Sequence, residues 1–113
     1  MKKTTRGSNG TSFHGTTIKT TLNELKKILG DPQYFCNDGR YKSNIGYTCE
    51  TNTGKVITIY DWKYYRAVEP TELIEFHIGG HNSEDTLDAK MELNTLINSS
   101  WRTDKRYSIT ESC

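Results

Sequence analysis

Apolar residues recur at two periods along this chain, and the change of period marks its elements. Leu22, Leu25, Ile28 and Leu29 fall at helical spacing. The preceding Thr21-Leu22-Asn23-Glu24 reads as a capping box, in which Thr21 caps the first turn and Glu24 reaches back. Lys26 and Lys27 suit the carboxyl end of the helix dipole, Gly30 sits at the stop position, and Pro32 follows. The period then drops to two. Ile45, Tyr47 and Cys49 share one face of a strand expected over 43–50, and Ile57 and Ile59 oppose Thr58, Tyr60 and Trp62 along a second over 55–61. Between them, Thr51-Asn52-Thr53-Gly54 has the length and chemistry of a hairpin loop. A third strand over 71–78 puts Ile74, Phe76 and Ile78 on one face and Leu73, Glu75 and His77 on the other, and Gly79-Gly80 ends it. Ser83 is the expected cap of a second helix, with Glu84 and Asp85 in its first turn. Its apolar positions are Leu87, Ala89, Met91, Leu93, Leu96 and Ile97.

The stretches between these elements are polar. Residues 1–10 are expected to be disordered, and Thr11–Ile18 to form a short strand or an ordered, hydroxyl-rich loop. Residues 31–42 read as a loop with a turn at Asn37-Asp38-Gly39. Residues 99–113 read as a polar tail broken only by Trp101, Tyr107 and Ile109. The expected fold is therefore α+β: a small antiparallel sheet of three to four strands, with two helices packed on one face. One ligand-binding domain would span 11–98. The sheet face away from the helices would carry Thr58, Tyr60, Trp62 and His77, and must meet water, a ligand or another subunit.

Composition sharpens that last point. Only 33% of the 113 residues are hydrophobic, which leaves a small core partly offset by seven Tyr, three Phe and two Trp. Self-association would bury more surface, so a homo-oligomer is expected. Fifteen basic and 14 acidic residues give a net charge of +1, unlike a protein that binds duplex nucleic acid. Cys36, Cys49 and Cys113 form no disulfide framework and no zinc pattern. Cys49 is expected to be a buried thiol and Cys113 an exposed one, which favours a reducing cytoplasm. Met1 to Arg6 has no apolar run behind it, so no signal peptide is expected, and no stretch approaches membrane-spanning length.

The candidate chemistry concentrates in Ile59-Tyr60-Asp61-Trp62-Lys63-Tyr64-Tyr65-Arg66, where aromatics alternate with cations at a strand end. Aromatic faces beside an ammonium and a guanidinium suit a stacked anionic ligand, and nucleotides are the obvious class. Gly79-Gly80, between strand and helix, would let backbone amides approach an anion. The loop hydroxyls of Ser12, Thr16 and Thr17 would add hydrogen bonds. Together these are the parts of a nucleotide pocket without catalytic chemistry. No P-loop or dinucleotide fingerprint is present. His77 and His81 lie four apart across two glycines and not on a helix, a spacing that fits no usual metal pattern even with Asp61 added. Neither a metal nor a cofactor is expected.

Several of these segments also resemble a family of small phage proteins. Gly10-Thr11-Ser12, Thr20-Thr21 with Leu25, Gly30-Asp31-Pro32, Tyr60-Asp61-Trp62-Lys63 and His77-Ile78-Gly79-Gly80 carry the resemblance, which covers roughly residues 10–97. The family is that of anti-CBASS sponges, oligomeric phage proteins that sequester cyclic-nucleotide immune signals without cleaving them. Phe76 departs from its pattern, which often has Trp there. The resemblance implies a non-enzymatic protein of the host bacterial cytoplasm, a cyclic nucleotide as partner and a tetramer. Trp62 or Tyr60 would stack on a base, Lys63 and Arg66 would meet phosphate, and Gly79, Gly80, His77 and the loop hydroxyls would complete the site. Two rivals stay open: a phosphodiesterase acting through His77, His81 and Asp61, and an inhibitor that docks its aromatic face on a host defence protein.

Overall fold

A computed structural model describes the backbone of residues 1–112 and the side chains of residues 1–99. The elements run β1 (Lys2–Lys3), β2 (Ser12–Thr20), α1 (Leu22–Leu29), β3 (Tyr34–Phe35), β4 (Ile45–Glu50), β5 (Val56–Tyr60), β6 (Ile74–Gly80) and α2 (Ser83–Ser112). The α+β class and the two helices are as expected. The sheet is larger than the three to four strands expected: it has six, all antiparallel, in the order β1-β4-β5-β6-β2, with β3 also paired to β4.

The two additional strands have no sequence signal of their own. Each is two residues long, and both lie along the outer edge of β4, where Lys3 meets Cys49 and Tyr34 meets Gly46. Their pairing is supplied by the edge they cover. Gln33 fills the space between, donating from Nε2 to Thr48 O (2.7 Å) and accepting at Oε1 from Thr48 N (3.1 Å). Residues 1–10, expected to be disordered, thus contribute an edge strand, and Arg6 pairs there with Glu50.

Alternation along the strands builds the core. Ile45, Tyr47 and Cys49 from β4, Ile57 and Ile59 from β5, and Ile74, Phe76 and Ile78 from β6 are all buried on one face. Leu22, Leu25 and Leu29 of α1 and Ala89 and Leu93 of α2 close over them. Burial pushes the Cys49 thiol up to about 12, so this cysteine is a chemically quiet packing group.

The caps show how local sequence sets the helix ends. Thr21 accepts from Glu24 N at 3.1 Å, and Gly30, at φ 80°, donates to Lys26 O. The reciprocal arm of the capping box is absent, because Glu24 turns to Lys27 instead (3.6 Å). At α2 the capping side chain is that of Asn82, not Ser83: its Oδ1 accepts from Asp85 N at 2.8 Å. Of the expected apolar positions of α2, Ala89, Leu93 and Ile97 face the core, whereas Leu87 and Met91 are exposed. The helix runs through the segment read as a tail. The side chains of Trp101, Tyr107 and Ile109, and Cys113 altogether, lie outside the described residues. Among the described residues no helix is long and apolar enough to cross a membrane.

Candidate functional site

The second face of the sheet is uncovered by the helices and carries a contiguous set of rings. Strand alternation places Tyr60 and His77 there, directly opposite one another in the β5–β6 register. Phe13 joins them from β2, where it pairs with Gly79 just before a register shift that ends at Thr17. Gly15, at φ 87°, sits within that bulge. The Phe13 and His77 rings stack at 3.9 Å with 13° between planes. Trp62 also stacks with His77 (5.9 Å, 28°), and Tyr60 meets both Trp62 and His77 edge to face. His77 is the hub of this cluster. Burial among the rings lowers its pKa from the ordinary histidine value, with Glu75 opposing, so the imidazole is neutral near pH 7.

Two cations flank the rim. Lys63 Nζ lies 5.7 Å from the Trp62 ring centroid and Lys42 Nζ lies 5.8 Å from it. Trp62 is 38% exposed, so one part of its surface is held by the cluster and the rest faces solvent.

A buried carboxylate holds this rim in place. Asp61 is fully buried, and its oxygens accept from Asn44 N (2.7 Å), Ile45 N (2.9 Å) and Asn44 Nδ2 (2.8 Å). Asn44, equally buried, also donates to Arg66 O and accepts from Gly39 N. The loops before β4 and after β5 are thereby locked together, and Lys63 N donates to Lys42 O at 2.6 Å. Within the second loop Lys63 and Tyr65 adopt positive φ of 59° and 51°. Such conformations cost energy in residues other than glycine and persist only where surroundings enforce them. The Asp61–Asn44 anchor supplies that enforcement one residue before Trp62.

The residues singled out from sequence divide accordingly. Tyr60, Trp62, Lys63, His77 and Thr17 lie together on the open face. Ser12 lies at its rim, with Oγ 3.2 Å from His14 Nε2. Thr16 does not join them: it is buried on the core side, bonded to Thr86 Oγ1 of α2 at 2.7 Å. Arg66 is diverted to a two-pronged pair with Glu72 (2.8 and 2.5 Å) and stacks over Tyr64, away from Trp62. Lys42 takes the place expected of it. Gly79 and Gly80 are not a turn but the last two residues of β6, in register with Phe13 and Ser12. A side chain at Gly79 would overlap Thr58 Oγ1, and one at Gly80 would meet Thr86 Cγ2 at 2.9 Å, so close approach is what requires glycine here. Asp61, considered as a ligand or catalytic group, is a structural anchor, and His81 is exposed beside Gly10 beyond the strand end.

Phe13 and Lys42 were missed. Phe13 sat in a stretch read as a possible loop, and only the β2–β6 pairing carries it over His77. Lys42 reaches Trp62 through the Asn44–Asp61 anchor, a contact between loops that no local pattern announces. No family model, no curated protein and no solved structure matches this chain.

Proposed function

We propose that this protein is a binding module that sequesters a cyclic nucleotide signal on the open face of its sheet and does not cleave it. The observation that carries the reading is the stacked set Phe13, His77 and Trp62 with Lys42 and Lys63 at its edge. Exposed ring faces accept bases, and paired ammonium groups accept phosphate. The resemblance of Tyr60-Asp61-Trp62-Lys63 and His77-Ile78-Gly79-Gly80 to anti-CBASS sponges supports the same class of ligand. On this reading the protein works in the host bacterial cytoplasm as a homo-oligomer, with a tetramer as its form, and inhibits by mass action.

The energetics are attainable. Nanomolar affinity requires about 12 kcal/mol. Each base–aromatic stack contributes about 1–3 kcal/mol, and charge-assisted hydrogen bonds add to this. The geometry also argues against the phosphodiesterase rival. Its carboxylate, Asp61, is enclosed and already accepts three N–H bonds, so it is neither a base nor a ligand for anything on the open face.

The test is to incubate the protein with a panel of cyclic and linear nucleotides, isolate the complex, denature it by heat and analyse what is released. Intact nucleotide supports sequestration. An altered product shows an enzyme. Retention of nothing points to the open aromatic face, with Phe13 and Trp62 among its exposed rings, as a protein-docking surface.

A further inference from the structure

On the open face, the hairpin and β3 set three residues in one row across adjacent strands. Tyr34 of β3 pairs with Gly46 of β4, and Gly46 pairs with Tyr60 of β5. The middle position of the row therefore has no side chain. A Cβ placed on Gly46 would lie 3.4 Å from Tyr34 Cβ and 3.9 Å from Tyr34 Cγ, at ordinary contact distance from the Tyr34 side chain. Strand spacing of about 4.8 Å puts the Tyr34 and Tyr60 backbones roughly 10 Å apart. A flat ring in contact with both faces needs about 7–8 Å between its neighbours, twice the contact distance of carbon atoms. The two tyrosines can frame such a ring, and Gly46 leaves the room for it.

The groove at this place has a volume of about 440 Å³. Its chemistry differs from that of the Trp62 rim. None of its ten lining residues is charged, and seven of them bear a hydroxyl besides Tyr47, whose own hydroxyl donates to Gly30 O on the core side. Thr48 and Thr58, paired across the next row, line it alongside Tyr34 and Tyr60. Among the described residues, the hydroxyls of these four side chains have no hydrogen-bond partner. Ser43, also in the lining, is next in sequence to Lys42, and Tyr60 meets Trp62 edge to face, so the neutral groove opens onto the cationic rim.

We infer that the Tyr34–Gly46–Tyr60 row is a nucleobase slot. It takes one base of the ligand between the two tyrosine rings, with the base edge towards Thr48 and Thr58, while the phosphate lies at Lys42 and Lys63. The inference rests on the nucleotide-binding reading above and deepens it, because it assigns the uncharged part of the ligand to a place distinct from the Trp62 stack. An uncharged, hydroxyl-lined slot suits a base, whose edge offers donors and acceptors but no net charge, and it holds no cation to neutralise a phosphate.

Equilibrium titration of the wild type, Gly46→Val, Tyr34→Ala and Tyr34→Phe with cyclic di-AMP, cyclic di-GMP and cyclic GMP–AMP tests the slot, with thermal melts confirming folding. Gly46 has an ordinary negative φ, so valine fills the slot without backbone strain. For whichever probe the wild type binds, Gly46→Val and Tyr34→Ala should each weaken affinity by about tenfold or more, the scale of one lost stack, and Tyr34→Phe should stay near wild type. A folded Gly46→Val with wild-type affinity overturns the slot and leaves the Trp62 face as the site. If Gly46→Val does not fold, Tyr34→Ala decides, since Tyr34 is exposed at the edge of the fold. A wild type that binds none of the three probes overturns the slot together with the reading beneath it.

Discussion

The two faces of the sheet are built from the same strands in the same register, yet they present opposite chemistry. On β5, Ile57 and Ile59 point into the core while Thr58 and Tyr60 point out. On β6, Phe76 and Ile78 point in while His77 and Gly79 point out. The inner face is apolar and is covered by the two helices. The outer face alternates rings, hydroxyls and glycines, and it stays open. A face meant only for solvent would carry scattered charges, whereas this one gathers Phe13, Tyr60, Trp62 and His77 into mutual contact. The difference shows that one alternating pattern serves two ends: one parity of residues holds the fold, and the other gathers rings and hydroxyls on an open surface.

Substitutions should separate these roles. The largest effect belongs to the inner face. Phe76→Ala, at a fully buried ring, should cost about 3–5 kcal/mol in urea denaturation. Next is the anchor that joins the faces. Asp61→Ala leaves three buried N–H donors unpaired and should cost about 3 kcal/mol. It should also release the Trp62–Lys63 segment, visible as faster amide exchange across residues 62–66. If Asp61→Ala kept wild-type stability, the anchor role assigned to it would be wrong.

Effects on the outer face should be smaller in stability and larger in binding. Trp62→Ala loses two ring contacts and two cation contacts but opens no core cavity, and should cost about 1 kcal/mol of stability. A loss as large as that of Phe76→Ala would place Trp62 with the core and erase the distinction between the faces. The smallest effect is a dependence on pH. Because burial lowers the pKa of His77 in the folded state, protons bind the unfolded chain more readily. The stability His77 contributes is then fully present above the ordinary histidine value of about 6.5 and is lost as pH falls below it. Urea midpoints of the wild type should drop between pH 7.5 and 5.5 by more than those of His77→Gln.

The inner face was legible in the sequence because alternation is a local signal. Ile45, Tyr47, Cys49, Ile57, Ile59, Ile74, Phe76 and Ile78 were all assigned to the side that proves buried. The outer face was legible only in part. Tyr60, Trp62 and His77 follow from the same parity. Their mutual contact depends on the β5–β6 register, which is set across the long loop 61–73 and by no hairpin turn. Gly46 opposite Tyr60 was within reach, since the Thr51–Lys55 turn fixes the register of that hairpin. Tyr34 was not, because a two-residue strand has no period to read. The sequence also favoured Arg66 as a free cation. Nothing local shows that Glu72, six residues on, captures it once the loop folds back. Asp61 entered the phosphodiesterase rival for a related reason: a carboxylate among aromatics looks available until Asn44, from the other side of the hairpin, encloses it.

Titration of the wild type and Trp62→Ala with the same cyclic dinucleotide, at fixed ionic strength, tests most directly the claim that the Trp62 rim of the open face is part of the binding surface. If it is, the wild type binds, and the folded variant binds more weakly by about 1–3 kcal/mol, the worth of one base–aromatic stack. Equal affinity in wild type and a folded Trp62→Ala would contradict it.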